Sequence, residues 1–300
     1  MPLCGFEDLY RLADTERLGL GVAVVGGADP TVLAALRQAC SRGWVTPFVA
    51  GREADIRKLA VDQGIDLHGF HLLDSEEPAV ATVAAIRDGR ARLLMKGQIA
   101  TPALMKAVLD PTRGLRTGRV ICQVVLMVIR PAGRRFLLAD TGVTIRPTLE
   151  QKADILGSAV AVAHALRETE PRVAVMAASE SVSESMPETL DAAELTRRCQ
   201  AGAMPGCVVQ GPLSFDLAYA ADAADKKRMA GPVTGAADVM LFPDLAAANL
   251  TVKAIMYTAD CAFGGILCGA ACPVVFMSRA DTTATRLNSL ALAVRLATHR

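Results

Sequence analysis

At 300 residues the chain is long enough for one or two domains, and 52% hydrophobic against 21% charged residues fits a protein with a sizeable buried core. A formal net charge of +1 argues against a nucleic-acid binder, whose domains carry a basic excess, and 4% aromatic residues leave little surface for stacking bases. The first ten residues hold Glu7 and Asp8 with no basic segment leading into an apolar one, and every apolar run is broken before it reaches membrane-spanning length, so a cytoplasmic chain without a membrane partner is expected.

The first third alternates strand and helix signals. Gly21 to Val25 is a short apolar strand that breaks at Gly26-Gly27-Ala28-Asp29-Pro30. Asp29 is a good N-cap and Pro30 a good first helical residue, after which Val32, Leu33, Leu36 and Cys40 recur at helical spacing. Thr46 to Ala50 reads as a second strand, with Pro47 tolerable only near its start. Helices are predicted over Glu53 to Gln63, closed by Gly64, and over Pro78 to Asp88, closed by Gly89. Arg92 to Met95 is a buried strand. Thr101 is expected as an N-cap with Pro102 behind it, opening a helix whose apolar face is Leu104, Ala107 and Val108. Repeated strand–helix units imply a parallel sheet.

The middle changes character. Val120 to Ile129 and Phe136 to Ala139 flank Arg130-Pro131-Ala132-Gly133-Arg134-Arg135, the pattern of an antiparallel hairpin. Thr148 with Gln151 is a capping box opening a helix through Leu166. Val173 to Ala177, Cys207 to Val209 and Val239 to Phe242 are further strands, each followed by a loop and a helix. Thr251 to Tyr257 belongs to the helix after Pro243-Asp244. Ser179 to Glu188 is polar and reads as an exposed loop. Val274 to Met277 is too short for a helix and ends in Ser278 and Arg279, and Asp281 to Ala297 is the last helix, with Asp281 as its expected N-cap. The hairpin interrupts the parallel pattern, which places one α/β domain over 1–115 plus 270–300 and a second over 116–269.

Two places join a strand end, a small or polar loop, a cation and a helix amino terminus. One is Met95-Lys96-Gly97-Gln98-Ile99-Ala100-Thr101-Pro102, the other Ser278-Arg279-Ala280-Asp281. In open α/β sheets ligands bind at such ends, where backbone amides suit anions and the arginine fork matches phosphate or carboxylate. Lys96, Gly97, Thr101, Ser278, Arg279 and Asp281 are therefore candidate site residues. Asn249 and Lys253 lie four apart on one face of an otherwise apolar helix and join them as candidate cleft-lining groups.

Other chemistries lack their marks. The chain has no GxxxxGK[ST], no HExxH and no GxSxG, and Gly19-Leu20-Gly21 lacks the third glycine of a dinucleotide fingerprint. Most of its eight cysteines sit in apolar runs (Cys40, Cys122, Cys207, Cys261, Cys268), as buried free thiols do. Cys261, Cys268 and Cys272 form no CxxC pair and have no nearby His, and the four His share no ligand spacing, so no metal site is expected.

Taken in order, these pieces resemble the phosphate acetyl/butyryltransferase family from about Gly21 to the end. The marks are Leu94-Met95-Lys96-Gly97, Gly114-Leu115-Arg116-Thr117-Gly118, Ala139-Asp140, Pro147 with Glu150-Gln151, Gly211-Pro212-Leu213 with Asp216, Pro243-Asp244 with Asn249 and Lys253, and Pro273 to Asp281. The Met-Lys-Gly and Ser-Arg-Ala-Asp variants look more like the butyryl branch. The resemblance implies two α/β domains with mainly parallel sheets, an active-site cleft between them, and a homodimer. It implies reversible acyl transfer between CoA and inorganic phosphate, with CoA or acyl-CoA as substrate and no cofactor or metal. It casts Ser278 and Arg279 as catalytic, with Asp281 the nearest carboxylate to stand in as the base, and Lys96, Gly97, Thr101, Asn249 and Lys253 as substrate-binding. Acetyl-type members carry a proposed general-base carboxylate seven residues after the serine, where this chain has Thr285. That departure keeps open a non-catalytic acyl-CoA- or phosphate-binding homologue. A metal-dependent decarboxylating dehydrogenase of the related two-domain fold would need an acidic cluster that the sequence does not supply.

Overall fold

Short apolar strands joined by amphipathic helices bury both faces of a parallel sheet only when helices cover it on both sides. The computed structural model describes residues 3–278 and 280–299 and arranges them in two units: Phe6–Arg119 with Phe263–Arg300, and Met1–Gly5 with Val120–Ala262. In chain order the elements begin α1 (Phe6–Glu16), β1 (Leu20–Val25), α2 (Pro30–Ser41), β2 (Val45–Gly51), α3 (Glu53–Asp62), β3 (His71–Asp74), α4 (Pro78–Arg87), β4 (Leu93–Lys96) and α5 (Thr101–Val108). They continue with β5 (Cys122–Ile129), β6 (Arg134–Ala139), α6 (Leu149–Ala165), β7 (Arg172–Met176), α7 (Pro187–Gln200), β8 (Val208–Leu213), α8 (Phe215–Tyr219) and α9 (Ala221–Lys227). The last are β9 (Val239–Leu241), α10 (Leu245–Thr258), β10 (Cys261–Cys268), β11 (Val274–Val275) and α11 (Thr283–Thr298).

The first unit orders its strands β3-β2-β1-β4-β11-β10, parallel except for β10 against β11. Val22 to Val25 and Leu93 to Met95 are fully buried, as strands covered on both faces must be. From β1 the chain winds outward through β2 and β3, then returns through α4 to place β4 on the other side of β1. That reversal is the topological switch at which open α/β sheets bind ligands. Asp29 caps α2 as expected, its carboxylate accepting from the Thr31 and Val32 amides. Leu33 and Leu36 of α2, and Leu290 and Val294 of α11, are buried where the two helices pack together.

The second unit orders its strands β5-β6-β9-β7-β8. The predicted hairpin is β5 and β6, antiparallel from Val124↔Ala139 to Ile129↔Arg134, while β6, β9, β7 and β8 run parallel. The Thr148–Gln151 capping box opens α6, and Asp244 caps α10 through the Ala247 amide.

Several expectations need correction. Thr101 is the first helical residue of α5 rather than its N-cap. Ala100 holds the cap position, with no side-chain capping bond. The Ile99 amide bonds back to the Gly97 carbonyl, and the Ala100 carbonyl already accepts the first helical bonds from Ala103 and Leu104. Asp281 is likewise not the cap of α11. Thr282 is, accepting from the Thr285 amide, so the helix runs Thr283–Thr298. Gly211-Pro212, expected in the loop after the Cys207–Val209 strand, lies inside β8, where a Cβ on Gly211 would fall 2.8 Å from the Val175 carbonyl oxygen. Four cysteines (Cys4, Cys122, Cys268, Cys272) are buried; Cys40, Cys199, Cys207 and Cys261 are only half-buried.

Candidate active site

In the first unit β1, β4 and β11 lie side by side, and each ends in a loop that feeds a helix amino terminus. The register sets Val25 level with Lys96, and Val275 level with Met95. The loops at Gly26, Gly97 and Ser278 therefore leave the sheet at one edge, over the amino termini of α2, α5 and α11. Three such termini add their partial positive charges at one place.

The first two loops are pressed backbone to backbone. The Gly97 amide donates to the Val25 carbonyl at 2.8 Å and the Gln98 amide to the Gly26 carbonyl at 2.7 Å. A Cβ on Gly97 would lie 2.3 Å from the Gly26 oxygen, so any side chain there would force the two loops apart. Lys96 is buried at 4% exposure, with its ammonium 3.5 Å from the Gly97 carbonyl and 6.0 Å from the centre of the Phe276 ring. Thr101 is exposed at the start of α5. Lys96 and the segment leading to Ser278 are thus neighbours, as two adjacent parallel strands require. Arg279 lies outside the described residues.

Ser278 is exposed and sits in a tight turn. Its amide donates to Asp281 Oδ2 at 2.6 Å, and its carbonyl accepts from the Asp281 amide at 3.2 Å. Its hydroxyl oxygen accepts from the Ala280 amide at 3.3 Å. Asp281 therefore closes the serine turn instead of capping the helix. Thr285 is buried, and its hydroxyl lies 3.1 Å from that of Thr282. Sequence reasoning missed Arg286. It is 2% exposed in the first turn of α11, its Nε donating to Thr31 Oγ1 at 2.8 Å and its Nη2 to the Ser278 carbonyl at 3.3 Å. In sequence it is one more charged residue of an amphipathic helix, and its burial carries no local signal.

The second unit carries its own polar edge, at the carboxyl ends of β6 and β9. Asp140, 3% exposed, accepts four backbone amides: Gln123, Gly142 and Val143 on Oδ1, and Thr144 on Oδ2. The loop it shapes is tied to α10, because the half-buried Asn249 donates its side-chain amide to the Thr141 carbonyl at 3.0 Å. Asn249 thus braces this loop, while Lys253, one turn on, is exposed.

Other marks of the resemblance have local physical reasons. A Cβ on Gly114 would lie 2.4 Å from the Asp110 carbonyl oxygen. Thr117 donates to the Gly269 carbonyl at 2.5 Å. Glu150 pairs with Arg198, and Asp216 with Lys227 at 3.0 Å. Burial, with Cys199 beside it, pushes the Cys207 thiol up to about 12. Among the described residues no three His, Cys, Asp or Glu side chains are grouped so as to hold a metal ion, and no helix is long and apolar enough to cross a membrane.

Comparison with known proteins identifies the family. The family model "Phosphate acetyl/butaryl transferase" matches residues 75–294. A phosphate butyryltransferase from Clostridium acetobutylicum is 37% identical over 279 residues, covering 92% of this chain and 93% of that protein. A phosphate acetyltransferase from Thermotoga maritima is 36% identical over 287 residues, covering 95% and 98%. The crystal structure of a branched-chain phosphotransacylase from Enterococcus faecalis V583 superposes with a TM-score of 0.82 at 27% identity, over 94% of this chain and 100% of that one. The chain belongs to the phosphate acetyl/butyryltransferase family.

Proposed function

We propose that this chain is a phosphate acyltransferase that moves a short acyl group, butyryl or acetyl, reversibly between CoA and inorganic phosphate. The observation that carries the reading is the convergence of Lys96, Gly97 and the Ser278–Asp281 turn over three helix amino termini, in a chain 37% identical to a phosphate butyryltransferase along nearly its whole length.

When acyl phosphate is the donor, the CoA thiol loses its proton and the thiolate attacks the acyl carbon. The bond from that carbon to the phosphate oxygen breaks, and phosphate leaves as an anion. Lys96 and the start of α5 at Thr101 suit that phosphate, and Arg279 is assigned the bidentate contact; the amides about Gly97 are taken by the Val25 and Gly26 carbonyls, and Gly97 serves by letting the two loops meet. The Ser278 hydroxyl, accepting from the Ala280 amide, keeps its own proton to donate to the oxyanion that develops at the acyl carbonyl oxygen or to the thiolate. Asp281 is assigned the thiol proton, and Asn249 and Lys253 a part in substrate binding. Orientation of two charged reactants supplies much of the acceleration. The reading includes no metal or prosthetic group, a cytoplasmic location, and acyl-CoA and phosphate as partners.

It also includes a homodimer. In support, α10 buries only Ala248 and Val252 and leaves Leu250 70% and Tyr257 78% exposed. Light scattering giving a monomer would contradict that part.

The test of the activity is a panel of acyl-CoA from acetyl to hexanoyl, assayed for CoA release with phosphate and with arsenate. Release that depends on both acyl-CoA and the oxyanion is expected. No release with any member would leave a binding protein, the reading that Thr285 motivates.

A further inference from the structure

The loops that carry the site extend past the last ladder bonds of the sheet. Ser278 lies three residues beyond β11, and Asp29 four beyond β1. β1 and β11 are not neighbours, because β4, which ends at Lys96, runs between them. Sheet pairing alone therefore leaves the two flanks of the Lys96 loop unconnected. Arg286 connects them. Its Nε donates to Thr31 Oγ1 at 2.8 Å, its Nη2 donates to the Ser278 carbonyl at 3.3 Å, and the same nitrogen stands 3.9 Å from Asp29 Oδ2. Thr31 in turn donates its hydroxyl to Asp29 Oδ1 at 2.7 Å, and that oxygen also caps α2.

The guanidinium is 2% exposed and Asp29 9%. A buried ion pair is a poor way to gain stability, since an apolar side chain of similar volume fills the same space without desolvating a charge. Its value here lies in geometry. Arg286 sits in the first turn of α11 and takes one loop with each arm of its fork. The Ser278 peptide is thereby held at both ends, its carbonyl by Arg286 and its amide by Asp281 Oδ2 at 2.6 Å. With both ends held, the Cα–Cβ bond of Ser278 has a set direction, and the Ala280 amide, donating to Oγ at 3.3 Å, selects the rotamer of the hydroxyl.

We propose that Arg286 is a positioning residue for acyl transfer. It ties the loop after β1, through Thr31 and Asp29, to the Ser278 turn, and so aims Ser278 at the reacting group. The proposal rests on the acyltransferase reading of the site. It requires a fork: a lysine at this position cannot reach Thr31 and Ser278 together.

Four full-length variants test it: Arg286→Lys, Arg286→Met, Thr31→Val and Thr31→Ser. Kinetics are measured well below each melting midpoint, with deuterium exchange of the peptide spanning 276–282 as a second readout. Arg286→Lys, Arg286→Met and Thr31→Val should lower kcat by about ten- to a hundredfold, the scale of one lost charged hydrogen bond. KM for acyl-CoA should stay within about twofold, because ground-state binding is untouched. Exchange in 276–282 should accelerate. Thr31→Ser keeps the hydroxyl and should behave as wild type. If the Arg286 variants do not fold, Thr31→Val decides, since Asp29 still caps α2 in it. Folded Arg286→Lys and Thr31→Val with wild-type kcat would overturn the proposal, as would a loss that merely follows the folded fraction. Should the wild type itself release no CoA on the acyl-CoA panel, the functional reading fails, and exchange still judges Arg286: unchanged exchange at 276–282 refutes the tether.

Discussion

Gly97→Ala isolates the contribution of the Lys96 loop. Gly97 does not need a positive φ, so an alanine backbone fits and the perturbation is steric alone. The added Cβ would lie 2.3 Å from the Gly26 carbonyl oxygen and 2.8 Å from that of Val25. Ordinary contact begins at 3.4 Å, so the loops must separate by about 1 Å at that point. Both obstacles are backbone atoms and cannot swing aside. The bonds from Gly97 to Val25 at 2.8 Å and from Gln98 to Gly26 at 2.7 Å must stretch with the loops. Overpacking of this kind costs about 1–3 kcal/mol and lowers the melting midpoint on the order of 5 °C. A catalytic group displaced by about 1 Å costs roughly a hundredfold in turnover. The matched control is Gly21→Ala, whose Cβ would fall 2.2 Å from the Arg90 carbonyl oxygen at the opposite end of β1. The expected pattern is a lower melting midpoint in both variants but a large fall in kcat only in Gly97→Ala. Equal retention of kcat in both, assayed well below their midpoints, would remove the Lys96–Gly97 loop from the chemistry.

Arg279→Ala should raise KM for phosphate or acyl phosphate and cut turnover by roughly ten- to a hundredfold, with Arg279→Lys also impaired because the fork is lost; unchanged kinetics would remove it from the phosphate site. Asp281→Asn should slow turnover by roughly 10²–10⁴ if the carboxylate takes the thiol proton, while the Asn oxygen still accepts from the Ser278 amide and preserves the turn. Near-full activity would leave Asp281 a purely structural group. Thr282→Ala, which deletes the true cap of α11, should cost about 1 kcal/mol in urea unfolding, and a silent substitution would refute the capping assignment. Hydrogen bonds from Arg197 and then Arg198 hold Glu194 near about 2, below its ordinary 4.5. A depressed carboxylate stabilises the fold fully above 4.5 and loses that contribution as pH falls toward about 2. The wild type's lead over Glu194→Gln in urea midpoint should therefore shrink across that window, and a lead independent of pH would contradict the assignment.

Features governed by neighbouring residues were legible before any coordinates. Asp29-Pro30 and the Thr148–Gln151 box are complete within four residues, and both caps form as read. The hairpin and the strand end at Lys96 follow from short apolar runs with turn residues between them, whereas β11 stops at Val275, short of the apolar run's end at Met277. β10 was missed because Gly264-Gly265 looks like a break. Its reason lies across the fold: a Cβ on Gly264 would come 3.0 Å from the Ser289 amide nitrogen of α11, so the bare backbone is what lets helix and strand approach. The half-exposed edge strand β3 shows no apolar alternation for the same kind of reason, since only one neighbour covers it.

The site divides along the same line. Lys96, Gly97 and Ser278 were readable as types, a cation, a glycine and a hydroxyl at strand ends. What each does was not readable, because it depends on contacts between residues far apart in sequence. Asp281 and Thr282 are both competent caps, and local rules rank Asp281 the higher. The choice is made when Asp281 turns back to hold the Ser278 amide, which leaves the helix end to Thr282. Arg286 reads in isolation as a charged residue in an amphipathic helix. Its meaning appears only when Thr31, 255 positions away, supplies the acceptor for its Nε. Asp140 likewise satisfies four backbone amides, one of them 17 residues upstream, which no periodicity announces. Residue types at a site can therefore be proposed from strand ends and helix starts, but the order in which they lean on one another is a property of tertiary contacts. The Arg286 fork, spanning two loops that the sheet does not connect, is the clearest instance in this chain.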